Sequence, residues 1–202
     1  MALPSLIVID GFLADPMVAR RKALALDYDP KFKQGNYPGL QSTEPLAIPG
    51  LDEAVSRLAG TPLKAQDGTM HGHCRMTLAG DQGRSGVHID PCAYSGILYL
   101  SLPEHCRGGT DFFRHKRTAL ERIPERTDEM LAAGYADINV LIEEVVNRDT
   151  LKSGCWDKVM TLPMRFNRLV LFSPWQFHNA ARGFGKDAAS GRLVQTFFFA
   201  AA

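Results

Sequence analysis

Residues 85–96, SGVHIDPCAYSG, place a histidine and an aspartate two positions apart, and a proline follows at once. In an extended segment, residues i and i+2 point to the same face, so His88 and Asp90 can aim at one point. A neutral imidazole and a carboxylate that converge in this way can bind a metal ion. An isolated pair of this kind is more typical of a surface ion pair, so a metal site needs a further ligand.

His178 is the histidine best placed to be that ligand. It follows a strongly apolar stretch, NRLVLFSP at 167–174, and has aromatic residues close on its N-terminal side. Two histidines and one carboxylate bind one face of an iron(II) ion and leave the opposite face open, as oxygen chemistry requires. Taken alone, a histidine after a strand can also be a hydrogen-bonded neighbour of a loop.

Arg192 opens the apolar segment GRLVQTFFF at 191–199. Alternation places its side chain on one face with Val194, Thr196 and Phe198. An inward arginine in an apolar barrel is unfavourable unless it has a partner, and its planar fork matches a carboxylate in two parallel hydrogen bonds. The partner can be a protein carboxylate or the far carboxylate of a small dicarboxylic acid.

The elements that must position these side chains are mostly strands. A first strand is predicted over 5–10 and helices over 15–26 and 51–60, with Asp15 as the cap of the first helix. From residue 70 onwards, short apolar segments alternate with turn signals, which is typical of an antiparallel sandwich or barrel. These predicted strands are HCRMTLA, GVHID, SGILYLSL, TDFFRH, DKVMTLP, NRLVLFSP and GRLVQTFFF.

Three intervening segments carry predictions of their own. The Gly- and Pro-rich stretch 28–45 is predicted to be loop. An apolar stripe predicts a helix over 137–147, and the glycines at 183, 185 and 191 predict a hairpin that places Arg192 on the strand beside that of His178. Long loops on a rigid sandwich usually carry recognition, so 28–48 and 114–155 are the expected lids.

Composition limits the classes of function. The chain has 202 residues, 45% of them apolar, and a formal net charge of +1. These values predict one globular domain and indicate neither a nucleic acid nor a membrane as partner. The N-terminal stretch does not read as a signal peptide, and four cysteines without CxxC spacing are expected to be reduced thiols. We therefore expect a cytoplasmic protein.

The motif set resembles a known family. His88-Ile89-Asp90, the distal His178 and Arg192 resemble the HxD…H…R signature of Fe(II)/2-oxoglutarate-dependent dioxygenases, and the nearest branch is the prolyl 4-hydroxylase-like one. SGILYLSL resembles the strand after the HxD motif, CRGGTDFF resembles that branch's GG turn, and PMRFNRLVLFSPWQFHNA is similar to its strand before the distal histidine. The resemblance covers 70–199.

The resemblance implies a mainly β fold with flanking helices around a double-stranded β-helix core of the jelly-roll or cupin-like kind. In this single domain of residues 1–202, the N-terminal strand and helices occupy 1–69, and the core of 70–199 carries a helical insertion at about 114–155.

For the site, the resemblance implies that His88, Asp90 and His178 bind Fe(II), with 2-oxoglutarate as cosubstrate and O2 as the oxidant. Arg192 is then the residue that holds the distal carboxylate of 2-oxoglutarate.

One departure from the family pattern concerns the cosubstrate. Many relatives carry a tyrosine on the strand before the HxD motif that helps to hold the cosubstrate, and CRMTLAGDQG has none. Tyr99 or Thr196 is predicted to take its place, with Tyr94 as a third candidate.

The implied function is an oxygenase that hydroxylates an amino acid, a peptide or a protein side chain, so its partner is a small-molecule, peptide or protein substrate. Related halogenases have a small residue at the position of Asp90, which therefore indicates hydroxylation or desaturation. Two alternatives stay open. One is a cupin-like jelly roll that binds a metal or ligand without turnover, and the other is a structural sandwich in which the HxD motif is a surface pair.

Overall fold

The computed structural model describes residues 4–28, 30 and 37–202. Its strands are β1 (Leu6–Asp10), β2 (Leu40–Pro45), β3 (Leu63–Ala65), β4 (His73–Thr77), β5 (Tyr94–Tyr99), β6 (Gly109–His115), β7 (Trp156–Pro163), β8 (Arg168–Phe172), β9 (His178–Ala180) and β10 (Arg192–Ala201). Its α-helices are α1 (Pro16–Leu24), α2 (Leu51–Ala59), α3 (Thr127–Ala132) and α4 (Ile138–Leu141).

The described strands form two antiparallel sheets. The larger sheet has seven strands. Six of them follow the order β1-β8-β5-β10-β4-β2, and the seventh, β3, pairs with the C-terminal end of β10. The smaller sheet has three strands in the order β7-β6-β9. One cavity is lined by residues of both sheets, including Arg192 from β10 and His178 from β9. The fold is therefore the predicted double-stranded β-helix core with flanking helices.

Alternation along β10 sorts its side chains between two environments. Leu193, Phe197 and Phe199 are fully buried in the core between the large sheet and the first two helices. Arg192 and Thr196 line the cavity on the other side of the sheet. The predicted division of β10 into two faces is thus confirmed, and the guanidinium of Arg192 lies on the face that lines the cavity.

The first two helices begin where the sequence predicts and α2 also ends there, whereas α1 ends at Leu24, two residues before its predicted end. The Asp15 carboxylate accepts a hydrogen bond from the backbone N–H of Val18 at 3.1 Å and caps α1, whose first residue is Pro16. Helix α2 stops at Gly60, which has a positive φ of 72°. Both helices pack on the outer face of the large sheet and cover its apolar side chains.

The insertion between β6 and β7 is helical, as predicted. After α4 the chain continues as a π-helical turn, Ile142–Asn147. Leu141 and Val145 on the predicted stripe are fully buried. They pack in one cluster with Val87 and Phe177, the residues that immediately precede two of the candidate metal ligands.

Three predictions were wrong. Part of the predicted loop 28–45 is strand β2, whose Leu40 and Gln41 pair with β4 in spite of the nearby glycine and prolines. Residues 29 and 31–36 of that stretch lie outside the described residues. GVHID is not a strand, because its pairing is limited to one bridge between His88 and His178.

The third wrong prediction is the hairpin between His178 and Arg192. Strand β9 pairs with β6 in the small sheet, whereas β10 pairs with β3, β4 and β5 in the large sheet. The glycine-rich connection therefore crosses from one sheet to the other, and it places the two side chains on opposite walls of the cavity.

In the part of the chain that is described, no helix is long and apolar enough to cross a bilayer. The four cysteines are free thiols, as expected.

Candidate metal centre

His88, Asp90 and His178 converge at one end of the cavity. One ligand atom from each lies within 4.8 Å of the other two. The Nε2 atom of His178 is 3.3 Å from Asp90 Oδ2, and Nε2 of His88 is 3.9 Å from Asp90 Oδ1. Two imidazoles and a carboxylate at this separation can hold one divalent metal ion on a single face. The predicted convergence is therefore present, even though residues 86–90 form no strand.

Backbone hydrogen bonds hold the two histidines in register. The N–H of each donates to the carbonyl of the other at 3.0 Å. Each side-chain Nδ1 also lies near a carbonyl oxygen, that of Gly86 at 2.9 Å for His88 and that of Gln176 at 2.8 Å for His178. A proton held on Nδ1 by such a bond leaves the Nε2 lone pair free for a metal.

The insertion fixes the segment that carries His88 and Asp90. Thr150 Oγ1 accepts from the N–H of Gly86 and donates to the carbonyl of Val87, both at 2.9 Å, and the Thr150 carbonyl accepts from the N–H of Val87 at 3.0 Å. A Cβ atom at position 86 would collide with the Thr150 carbonyl, so only glycine permits this approach. The insertion thus acts as a support for the ligand segment.

Electrostatics keep the triad ready for a cation. Burial, reinforced by the neighbouring His178, lowers the pKa of His88 to about 4, so its imidazole is neutral at neutral pH. Burial alone would raise the pKa of Asp90, but the adjacent imidazoles and the hydroxyl of Ser95, which donates to Oδ2 at 2.5 Å, lower it well below its ordinary value. The site therefore presents a neutral imidazole at His88 and a carboxylate anion at Asp90.

The cavity beyond the triad has a volume of about 280 Å³. Apolar side chains such as Ile97, Phe172 and Val194 form much of its wall. Among the described lining residues, Asp90 is the one carboxylate, and Arg75 and Arg192 are the two guanidinium groups. The cavity thus combines a metal-type triad with an excess of positive charge.

Arg192 is deeply buried and poorly paired. Its side chain is among the largest fully buried in the protein, and its Nη2 makes one long hydrogen bond of 3.4 Å to the carbonyl of Gly109 in the GG turn. Its Nε has no hydrogen-bond partner, and no carboxylate of the described residues lies within 4.0 Å of it. Burial lowers the pKa of Arg192. This is the inward arginine that the sequence predicts, without a protein anion to neutralise it.

The residues predicted to assist Arg192 occupy different places. Thr196 lines the cavity, and its hydroxyl donates to the His73 carbonyl at 3.3 Å. Tyr99 is fully buried behind the wall, with its hydroxyl 2.7 Å from Thr110 Oγ1, and does not line the cavity. Tyr94 points to the helix-covered face and donates to the carbonyl of Pro4.

The cavity wall also holds Tyr37, Gln41 and Arg75, which the sequence did not predict to form one group. The available signal for Arg75 is its place in HCRMTLA, where it alternates with the buried Cys74 and Met76. Tyr37 and Gln41 lie in the expected lid 28–48, but their place beside Arg75 depends on the order of strands in the sheet, which the sequence does not reveal.

Of the two expected lids, only 28–48 contributes described residues to the cavity lining. None of residues 114–155 lines it, so the insertion contributes no side chain to the cavity wall. Its apolar stripe packs behind the ligand segments instead.

Comparisons with known proteins bear on this site. Residues 3–199 match the sequence profile of a family of unknown function, DUF6445. The chain belongs to this family. No curated protein sequence matches this DUF6445 member.

Solved structures show what the DUF6445 chain resembles in fold. The non-heme alpha ketoglutarate dependent epimerase SnoN from nogalamycin biosynthesis has a TM-score of 0.50 and 14% identity, over 98% of this chain and 79% of that one. HygX from Streptomyces hygroscopicus, with nickel, 2-oxoglutarate and hygromycin B bound, has a TM-score of 0.46 and 16% identity, over 98% and 83%. A Pseudomonas putida prolyl-4-hydroxylase has 0.44 and 14%, over 98% and 93%. The likeness to SnoN shows a shared fold.

Proposed function

We propose that this protein is an Fe(II)/2-oxoglutarate-dependent oxygenase. The observation that carries the proposal is the pairing of two incomplete groups in one cavity. The triad of His88, Asp90 and His178 forms a metal site on one wall, and Arg192, a buried cation without a described anionic partner, lies on the other. A metal ion completes the first group, and a dicarboxylic acid that reaches from the metal completes the second.

The donor set fits iron(II). Two imidazole nitrogens and one carboxylate form the facial triad typical of non-heme iron oxygenases and leave coordination positions open. His88 and His178 would bind through Nε2, since their Nδ1 atoms are held by backbone carbonyls. Ser95 orients the carboxylate of Asp90 through its hydrogen bond to Oδ2.

The surroundings of Arg192 fit a distal carboxylate. Its guanidinium has donors to spare, because one long bond to a carbonyl uses only one of five N–H groups. Arg192 would hold the end of 2-oxoglutarate that is remote from the metal. Thr196, two residues further along the same face of β10, lines the same space and is our candidate for a second contact. Tyr99 would act indirectly, by holding Thr110 at the cavity wall.

When bound, iron(II) and 2-oxoglutarate supply oxygen activation coupled to decarboxylation of the cosubstrate to succinate. The chain's own contribution is position and exclusion of water. The apolar side chains of Ile97, Phe172 and Val194 line the same cavity as the triad. Asp90 keeps a carboxylate at the position where halogenases have a small residue, which favours hydroxylation of an amino acid, peptide or protein side chain. The motif order supports a place near the prolyl 4-hydroxylase-like branch.

Anaerobic titration tests the proposal directly. The purified protein is loaded with Fe(II), its iron content is measured, and 2-oxoglutarate is added while the visible metal-to-ligand charge-transfer band is followed. We expect about one iron per chain and a saturable band in the natural protein. His88→Ala and His178→Ala should lose both, because each removes a ligand.

His105→Ala is the matched control, since His105 lies outside the triad and the cavity lining. Unchanged iron content in both ligand variants would rule out this metal site. A band without succinate formation under oxygen, for any substrate offered, would favour the alternative of a cupin-like protein that binds without turnover.

A further inference from the structure

We propose that Arg75, Gln41 and Tyr37 form a second anion-binding subsite, which takes a carboxylate group of the organic substrate. The inference rests on the proposed function and deepens it, since it names the class of substrate as a small carboxylic acid. It is carried by unused hydrogen-bond donors at the cavity wall and by their distance from the triad.

Arg75 has only neutral partners. Its Nη2 donates to Gln41 Oε1 at 2.5 Å, and its Nη1 makes a long bond of 3.5 Å to the carbonyl of Pro38. No carboxylate of the described chain lies within 4.0 Å of it. Burial lowers the pKa of Arg75 to about 10, so the guanidinium stays charged at neutral pH. A half-buried cation of this kind has the capacity to bind an oxyanion in a bidentate manner.

Gln41 adds a second donor. It is 1% exposed, and its Oε1 accepts from Arg75, which fixes the orientation of the amide because the reverse would set two donors against each other. The remaining Nε2 group has no hydrogen-bond partner within the described residues. A buried donor without an acceptor is unfavourable, so this group also calls for an oxygen atom from a ligand.

Tyr37 connects this corner to the metal. Its ring centroid is 4.7 Å from that of His88, and the guanidinium carbon of Arg75 is 5.2 Å from the centroid of the same ring. The phenol hydroxyl of Tyr37 is a further hydrogen-bond donor. One aromatic ring therefore separates the subsite from the triad. A small molecule is long enough to contact both.

The two cavity arginines are suited to different ligands. Thr77 pairs with Arg192 across β4 and β10, and Arg75 pairs with Val194, so the two cations are diagonal neighbours on one sheet face. Arg192 is 2% exposed, whereas Arg75 is only half-buried. The deeper cation suits the cosubstrate, and the outer one suits a substrate that enters afterwards.

Charge balance favours a single carboxylate. A divalent metal and two arginines bring four positive charges, and Asp90 with a dianionic cosubstrate brings three negative ones. One positive charge is left among the described lining residues, which a substrate carboxylate neutralises. A phosphate monoester would overshoot this balance.

The test uses Mn(II)-loaded protein saturated with 2-oxoglutarate, so that no turnover occurs. N-acetylamino acids and hydroxy acids are offered, each beside its primary amide and, where it has a hydroxyl, beside its phosphate ester. Calorimetry measures the affinities. We expect acids to bind at least about tenfold more tightly than their amides, in line with one charge-assisted hydrogen bond. Arg75→Met should remove this preference and leave the affinity for 2-oxoglutarate unchanged.

Two further variants keep the test decisive if Arg75→Met folds poorly. Gln41→Glu places a carboxylate beside Arg75 and should abolish acid binding while the fold is retained. Arg84→Met, at an exposed position, is the matched control and should leave every affinity unchanged.

Several outcomes would overturn the inference. These are equal binding of acids and amides, no binding of any acid, tighter binding of the phosphate esters, or a loss of 2-oxoglutarate affinity in Arg75→Met that Arg192→Met does not show. Failure of the proposed function looks different, because the natural protein would then show no metal-dependent binding of 2-oxoglutarate at all.

Discussion

The large sheet buries one arginine on each of its faces, and the two have opposite surroundings. On the helix-covered face, Arg20 is 3% exposed and donates to the carbonyls of Leu100 at 2.7 Å and Ala189 at 2.6 Å. On the cavity face, Arg192 is 2% exposed, has an Nε without a partner and makes one bond of 3.4 Å. Burial alone therefore does not identify a functional arginine.

The difference lies in what satisfies each guanidinium. Short bonds to two carbonyls join Arg20 to segments far away in the chain, so its role is to hold the fold together. Arg192 gains almost nothing from the protein that surrounds it. A buried cation that the fold leaves unsatisfied is unfavourable until a ligand arrives, and this distinguishes a binding residue from a structural one.

The largest expected effect is on the affinity for 2-oxoglutarate, which should depend on Arg192 and not on Arg20. Arg192→Met should weaken 2-oxoglutarate binding by about 3–6 kcal/mol, or more than a hundredfold, because two charge-assisted hydrogen bonds are lost. Iron content should be retained, since Arg192 is not a ligand. The same anaerobic titration measures both quantities.

Arg182→Met, in the exposed glycine-rich connection, is the control and should bind the cosubstrate normally. Natural affinity in Arg192→Met would mean that the cosubstrate anchor is another residue and that the comparison fails.

The next effect concerns stability. Arg20→Met should lower the free energy of unfolding by about 1–3 kcal/mol, because it leaves the buried Leu100 carbonyl without a donor and removes the partly buried bond to Ala189. Arg192→Met should not lower it, since a buried cation with little compensation is replaced by an apolar side chain of similar length. Urea unfolding of the metal-free proteins measures the difference.

The neighbouring exposed residue provides the control, because Arg21→Met should leave the unfolding midpoint unchanged. Equal losses of stability in the Arg20 and Arg192 variants would contradict the assigned roles.

A smaller effect on stability is expected at Asp149. Unlike Arg192, this buried charged group has a partner of opposite charge, Lys152. Its carboxylate accepts from Lys152 Nζ at 2.9 Å and lies 3.1 Å from His115 Nε2. The hydrogen bond from Lys152 lowers the pKa of Asp149 to about 2. An aspartate in the unfolded chain titrates near about pH 4, so this contribution to stability is complete above that pH and is lost as the pH falls towards about 2.

Asp149→Asn removes the titrating group. The stability advantage of the natural protein over this variant should shrink between about pH 4 and about pH 2, as measured by unfolding at a series of pH values. An advantage that stays constant through this range would show that the charge of Asp149 contributes nothing.

Much of the candidate site could be predicted because its signals are local. The i, i+2 spacing of His88 and Asp90 and the alternation along the Arg192 strand are properties of short extended segments. The capped helix α1 and the Gly60 stop are local in the same sense. These features were confirmed where the structure describes them.

The wrong predictions share a non-local cause. Strand β9 has three residues and no apolar alternation, so the sequence did not reveal that it joins β6 across the cavity from Arg192. Strand β2 begins after glycine and proline, and its pairing with β4 brings Gln41 beside Arg75. Which sheet a strand joins depends on the packing of the whole chain, and the turn residues between strands do not encode it.

Thr150 connects the helical insertion to the segment that carries His88 and Asp90. Its hydrogen bonds to Gly86 and Val87 make the shape of the ligand segment depend on the folding of a helical region outside the cavity. Thermodynamic coupling is reciprocal, so a ligand of this region that changed the affinity for the metal would have its own affinity changed by the metal by the same factor. Binding at the exposed outer side of the insertion would thus act on the metal centre through Thr150, without any contact with the cavity.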